Sequence, residues 1–244
     1  MNNLKKVAIF VEGLSELILV QRLLLIIGES SVSYKTFELH CNDLRKPESD
    51  SLAMYDYKNP SANIEFLIIK ANNDEKVVSA IKERAEGLIK QGYMNILGLR
   101  DMYSERYAKT SKGFINNQTT DDFIKGVNSI IQDMDCHDKI KIFFAIMEVE
   151  AWFLSTWEIF EKIDSSLTYS CIKTKLKFDS KLDPRIYYRP SREVKKILKD
   201  YDKSKGKVCK IVNKLEIEHI NKVIEDNRCK EYEDFIDEIK ILTA

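Results

Sequence analysis

The stretch Val7-Ala8-Ile9-Phe10-Val11, followed at once by Glu12-Gly13-Leu14-Ser15-Glu16, decides the fold. Side chains alternate between the two faces of a strand, so an unbroken apolar run needs cover on both faces. A strand of that kind belongs to a parallel sheet sandwiched between helices. Glu12-Gly13 ends the run. Ser15 then reads as an N-cap, and Leu17, Val20, Leu23, Leu24 and Ile27 recur at helical spacing.

The same grammar repeats downstream. Val32–Leu39, Ile64–Ile69, Asn95–Leu99 and Ile140–Ile146 read as strands. Helices are expected after Val77 through Leu88, over Asp121–Met134 and over Trp152–Ile163. Cys41–Ser61 is polar, carries Pro47 and Pro60, and reads as a surface excursion; Tyr103–Thr120 reads as polar and mobile. Alternating strands and helices imply an α/β fold with a mostly parallel, four- to five-stranded sheet flanked by helices. Ser191–Tyr201, Lys203–Leu215, Ile217–Ile224 and Glu231–Leu242 all read helical, behind a linker near Leu182–Pro190. The expected division is a sheet domain over residues 1–165, with an insertion at 41–61, and a basic, helical C-terminal appendage over 166–244.

With 44% hydrophobic and 32% charged residues, the chain of 244 can bury a substantial core. Its 8 glycines and 4 prolines exclude collagen-like and Pro/Gly-rich disordered classes. Lys5 and Lys6 precede an apolar run that Glu12 and Glu16 interrupt, and no run approaches a membrane span, so no membrane association is expected. Five scattered cysteines form no C-x-x-C pair, which argues for a reduced, cytoplasmic protein. Three histidines in no ligand pattern argue against zinc, and the chain lacks a phosphate-binding P-loop, a dinucleotide fingerprint and a G-x-S-x-G elbow.

Charge is balanced overall, 39 Lys+Arg against 39 Asp+Glu, but it is not evenly spread. Residues 1–172 carry 20 bases and 25 acids; Lys173–Lys214 carries 15 and 5; Leu215–Ala244 carries 4 and 9. The middle segment is a localised cationic patch. Lys195, Lys196, Lys199, Lys203, Lys205, Lys207 and Lys210 are its candidate nucleic-acid contacts. An acidic protein partner would be served equally well.

Three strands end in acids: Glu12, Asp101 and the pair Glu148/Glu150. In open α/β sheets the active crevice lies beyond the carboxyl ends of the strands. Parallel strands would bring these acids to one edge, where their mutual repulsion suits a hard divalent cation such as Mg²⁺ or Mn²⁺. The matching chemistry is phosphoryl or phosphodiester transfer. Polar loops put acids at strand ends for no functional reason as well, and Trp152 beside Glu150 reads as core packing.

Val11-Glu12-Gly13-Leu14-Ser15-Glu16 resembles the VEGxTE motif of Toprim domains, in particular those of the overcoming-lysogenization-defect nucleases. Leu99-Arg100-Asp101-Met102-Tyr103 resembles the second Toprim motif, normally D-x-D. Glu148-Val149-Glu150-Ala151-Trp152-Phe153-Leu154 is similar to the E-x-EAWLL segment of a Toprim-like bacterial family of uncharacterised proteins. The resemblance implies a metal-dependent nuclease: Glu12, Asp101 and Glu150 catalytic; Glu12, Glu16, Asp101, Glu148 and Glu150 holding Mg²⁺ or Mn²⁺; DNA or RNA as substrate. It also implies a role in anti-phage defence beside an AAA/ABC-type ATPase. Tyr103 stands where the second acid of D-x-D belongs, and a phenol with pKa near 10 does not replace a carboxylate ligand. Glu105 could substitute. The alternative is a non-catalytic, Toprim-like partner or regulatory subunit of an ATPase complex, and a small-molecule phosphotransferase is a third reading.

Overall fold

The computed structural model describes residues 4–40, 43–45, 56–72, 74–176 and 183–244. Most of the expected surface excursion (41–42 and 46–55) and Leu182 of the expected linker lie outside these residues. In chain order the elements are β1 (Lys5–Val11), α1 (Leu14–Gly28), β2 (Val32–His40), β3 (Asp43–Arg45), β4 (Ile64–Lys70), α2 (Asp74–Lys90) and β5 (Asn95–Asp101). There follow α3 (Glu105–Ser111), α4 (Asn117–Gln132), β6 (Ile140–Ala145), α5 (Glu150–Ser155), α6 (Glu158–Ile163) and α7 (Tyr169–Leu176). The chain closes with α8 (Pro190–Ile197), α9 (Lys205–Val212), α10 (Ile217–Glu225) and α11 (Lys230–Thr243). Among the described residues no helix is long and apolar enough to cross a membrane.

The sheet has six strands, one or two more than the sequence suggested, in the order β3-β2-β4-β1-β5-β6. All pairings are parallel except β2 with the three-residue β3. β1 lies between β4 and β5, with Val11 opposite Lys70 on one side and Leu99 on the other. After β1 the chain moves to one side, to β2; after β4 and β5 it moves to the other. The order therefore reverses between β1 and β5, and a crevice is expected at their carboxyl ends.

The two faces of β1 enter different cores, as its unbroken apolar run demands. Ile9 and Val11 pack with α1 and the C-terminal helices; Ala8 and Phe10 pack with α2 and α4. On the α2 face, Gly98 of β5 sets the spacing: a Cβ there would lie 2.7 Å from Ile142 Cδ1 and 2.9 Å from Ile81 Cδ1. On the other face one continuous cluster runs from β1 and α1 through Trp152 to Phe235 and Ile239. The C-terminal helices therefore complete the core of the sheet rather than hanging from it as an appendage.

Three local readings change. The cap of α1 is Gly13, not Ser15, and the Glu16 carboxylate accepts the Gly13 N–H at 2.9 Å. Trp152–Ile163 is two short helices, because Ser155 and Thr156 turn their hydroxyls back onto the Trp152 and Phe153 carbonyls. Residues 103–120 hold α3 and the start of α4: Ser104 caps α3 by accepting from Tyr107 N, and Asn116 caps α4 by accepting from Thr119 N.

Candidate functional site

The reversal between β1 and β5 is spanned by a hydrogen bond. Asp101 N, at the end of β5, donates to Glu12 Oε2 at 3.0 Å just beyond β1. The Asp101 side chain is buried and accepts from Val149 N at 2.8 Å, tying β5 to the turn after β6. That turn is strained. Met147 has φ 66°, in the left-handed region, and Glu148 N donates back to the Ile146 carbonyl at 3.1 Å. The kink delivers Glu148 and Glu150 to the edge that holds Asp101 and Glu12. Glu16 joins them on the first turn of α1, 4% exposed, where the helix N-terminus favours a carboxylate. A Cβ on residue 13 would lie 3.0 Å from Glu16 Oε2, so any larger residue there would make the Glu16 carboxylate shift. The four acids predicted from strand ends, and Glu16 from the first turn of α1, thus lie along one edge.

The C-terminal helices close this edge. Ser191 N, in the first turn of α8, donates to Glu148 Oε2 at 2.8 Å. Tyr201 OH donates to Glu150 Oε1 at 2.6 Å. Lys203 Nζ lies 2.9 Å from Glu148 Oε1 and 3.1 Å from Glu150 Oε2. The second contact is an ion pair too poorly aligned for a hydrogen bond, which leaves the fully buried Oε2 without a donor. Lys203 itself has φ 61°, a second left-handed residue at the same edge.

Positive charge is short here. Burial, then the fields of Glu16 and Glu12, pushes the Asp101 carboxyl well above its ordinary value. Burial raises Glu150 too, with Glu148 adding to the rise, while Lys203 and the Tyr201 hydroxyl oppose it. Burial alone would lower Lys203, but Glu150, Asp101 and Glu148 overcome it and hold the ammonium above its usual range. Burial and the neighbouring Glu150 keep the Tyr201 phenol protonated, so it stays a donor.

The donor set suits a hard cation in chemistry and charge: every candidate ligand is a carboxylate oxygen, and one buried oxygen lacks a donor. Among the described residues, however, no three acidic, histidine or cysteine side chains are gathered about one point. Glu148 and Glu150 converge on Lys203 instead. Tyr103, in the place of the second motif acid, is held by Arg189 and Tyr188: Arg189 stacks 4.9 Å over its ring and donates to its hydroxyl, and Tyr188 meets it edge-on. The side chain of Glu105, the possible substitute, lies outside the described residues.

Of the seven candidate lysines, Lys203 turns inward, Lys196 pairs with Glu193 and Lys207 with Asp200. Lys195, Lys199, Lys205 and Lys210 make no ion pair among the described residues. Trp152 is core, stacked 4.7 Å from Tyr232. Sequence reasoning missed Ser191, Tyr201 and Lys203 as parts of the acidic edge. They follow Glu148 by more than forty residues, and no spacing pattern links them to it. No protein-family model, no curated protein and no solved structure matches the chain.

Proposed function

We propose that the acidic edge is the centre of a metal-dependent phosphodiester hydrolase acting on nucleic acid. The observation that carries this reading is charge. Carboxylates from the ends of β1, β5 and β6 line the reversal of strand order, with Lys203 as the near cation and with Asp101 and Glu150 both pushed toward protonation. Glu12, Glu16 and Asp101 would hold Mg²⁺ or Mn²⁺, with Glu150 supplying its donor-free oxygen. When bound, such an ion polarises a phosphoryl oxygen and makes water more acidic. Val149 N fixes the Asp101 carboxylate and Asp101 N fixes that of Glu12; Tyr201 and Ser191 fix Glu150 and Glu148. Lys195, Lys199, Lys205 and Lys210, on or beside the two helices that flank Lys203, would lead a phosphate backbone toward the edge. The resemblance to Toprim nucleases, and with it an ATPase partner in defence, agrees with this reading.

The test is cleavage of DNA and RNA with Mn²⁺ by the wild type, Glu12→Gln and Asp101→Asn. Both variants should lose activity at least a hundredfold while melting cooperatively; unchanged cleavage in both would end the assignment.

A second reading, a non-catalytic partner, is favoured by Lys203 lying between Glu148 and Glu150 and by Tyr103 in place of an acid. Calorimetry separates the two: absence of Mg²⁺ or Mn²⁺ binding at millimolar concentration favours the partner.

A further inference from the structure

On the opposite face of β5 from Asp101, one residue away, a cavity of about 690 Å³ opens between α2 and α4. That volume is within the range of small-molecule sites. Its floor is polar and buried. Arg100 is 7% exposed; its Nε makes a long bond, 3.4 Å, to the Asp101 carbonyl, and its guanidinium lies 5.9 Å from the Phe144 ring centre. No carboxylate pairs with it among the described residues. A guanidinium does not give up its proton, and a buried charge left unmatched is costly, so this arginine faces the cavity as an unanswered cation. Ser104 is 6% exposed beside it. Its Oγ accepts from Tyr107 N at 3.1 Å, and its own proton has no acceptor among the described residues.

Two further cations stand at the mouth. Lys82 on α2 makes no ion pair among the described residues, and Arg106 lies 5.6 Å over the Phe123 ring. Asp122 is the single acid among the described lining residues, and it already accepts from Gln118 at 2.8 Å. Three cations against one acid leave a surplus of two charges, which matches a phosphomonoester at pH 7. The rest of the wall is mixed: Phe123, Val78, Val127 and Ile130 form its apolar part, and Ser79, Thr110 and Thr119 are polar. Gly126 sits inside α4 on this wall, where glycine costs about 1 kcal/mol relative to alanine. Among the described residues no atom lies within 4 Å of a Cβ placed there, so their packing does not require glycine.

We propose that this cavity binds a small phosphomonoester with a flat, apolar body, of the size and charge of a nucleoside 5′-monophosphate. Arg100 and Ser104 receive the phosphate, Lys82 and Arg106 flank it, and the body lies against Phe123 and the aliphatic wall. Arg100 is well suited to such an anion because its planar fork offers two parallel donors. The site lies on the other face of the sheet from the acidic edge, so it stands or falls independently of the hydrolase reading.

The experiment is calorimetry on the full chain with the four ribonucleoside 5′-monophosphates, their nucleosides and inorganic phosphate, with Arg100→Met and Lys82→Glu as variants. At least one nucleotide should bind the wild type, with its nucleoside at least tenfold weaker. Arg100→Met should weaken it roughly 10- to 100-fold, the range for a lost hydrogen bond to a charged group. Lys82→Glu, on the exposed rim, should weaken it several-fold while staying folded. Three results would each overturn the proposal: no nucleotide binding at millimolar concentration, binding indifferent to both variants, or inorganic phosphate binding as tightly as any nucleotide.

Discussion

Lys203→Met removes the cation between the buried Glu150 and the partly buried Glu148. Glu150 is 0% exposed and Glu148 12%, and their oxygens lie 3.1 and 2.9 Å from the lost nitrogen. Removing one member of a fully buried pair costs about 3–5 kcal/mol. The Lys203 side chain is 40% exposed, so solvent screening reduces this, and we expect about 2 kcal/mol. For a chain of this size that lowers the melting temperature by about 4–8 °C. The sign with pH follows from the carboxyls. Without Lys203, the folded-state pKa of Glu150 rises further. A carboxyl raised in the folded state contributes stability below its unfolded value and loses it as pH rises through the folded one. The deficit should therefore be largest at pH 7–8 and close toward about pH 4. Thermal melts of the wild type, Lys203→Met, Glu150→Gln and the double variant form the cycle. The double variant should recover at least about 1 kcal/mol of coupling. A Lys203→Met melt within about 1 °C of the wild type at pH 8, with no coupling in the cycle, would refute the placement of Lys203 as the counter-ion of this edge.

Asp101→Asn keeps an acceptor for Val149 N but removes a carboxylate that burial, Glu16 and Glu12 push toward protonation. Its melting temperature should exceed the wild type's at pH 8, and the gap should narrow as pH falls toward the ordinary carboxyl range; a lower melting point at every pH would contradict this. Gly98→Val drives a side chain into Ile142 and Ile81 and should cost about 1–3 kcal/mol in urea unfolding, with no change in the slope against urea.

Much of this architecture is legible in the sequence for one physical reason. A strand buried on both faces must be apolar throughout, so β1, β4 and β5 announce themselves, and the acids at the ends of β1, β5 and β6 are placed by topology. The exceptions have their own causes. β3 is three exposed residues with no burial signal. α3 lies in polar sequence and is secured by the Ser104 cap and by a buried Tyr107, whose hydroxyl meets Thr120 and accepts from Asn116 N. The break between α5 and α6 depends on two hydroxyls that are neutral in a periodicity count. The acidic edge was readable because Glu12 and Asp101 stand at the ends of β1 and β5, and Glu148 and Glu150 come soon after β6. Its closure was not, since Tyr201 and Lys203 arrive from the loop between α8 and α9 and contact it only after the C-terminal helices have packed on α1 and α5.

Charge counting misplaced Lys203 for the same reason: a tally along the chain cannot tell a lysine that meets solvent from one that meets buried acids. The distinction has a measurable consequence. Each phosphate neutralised on duplex DNA contributes about −0.9 to the slope of log affinity against log salt. Seven outward lysines would give a slope of about −6. With Lys203 turned inward and Lys196 and Lys207 paired to acids, four remain unpaired, and the expected slope is about −3.6. Lys199→Ala should flatten it by about 0.9, while Lys203→Gln should leave it unchanged. Fluorescence anisotropy with a labelled duplex from 50 to 200 mM salt measures it directly. A slope near −6 that falls when Lys203 is replaced would show that this lysine faces the phosphates, and the acidic edge would then lack the counter-ion on which its electrostatic account depends.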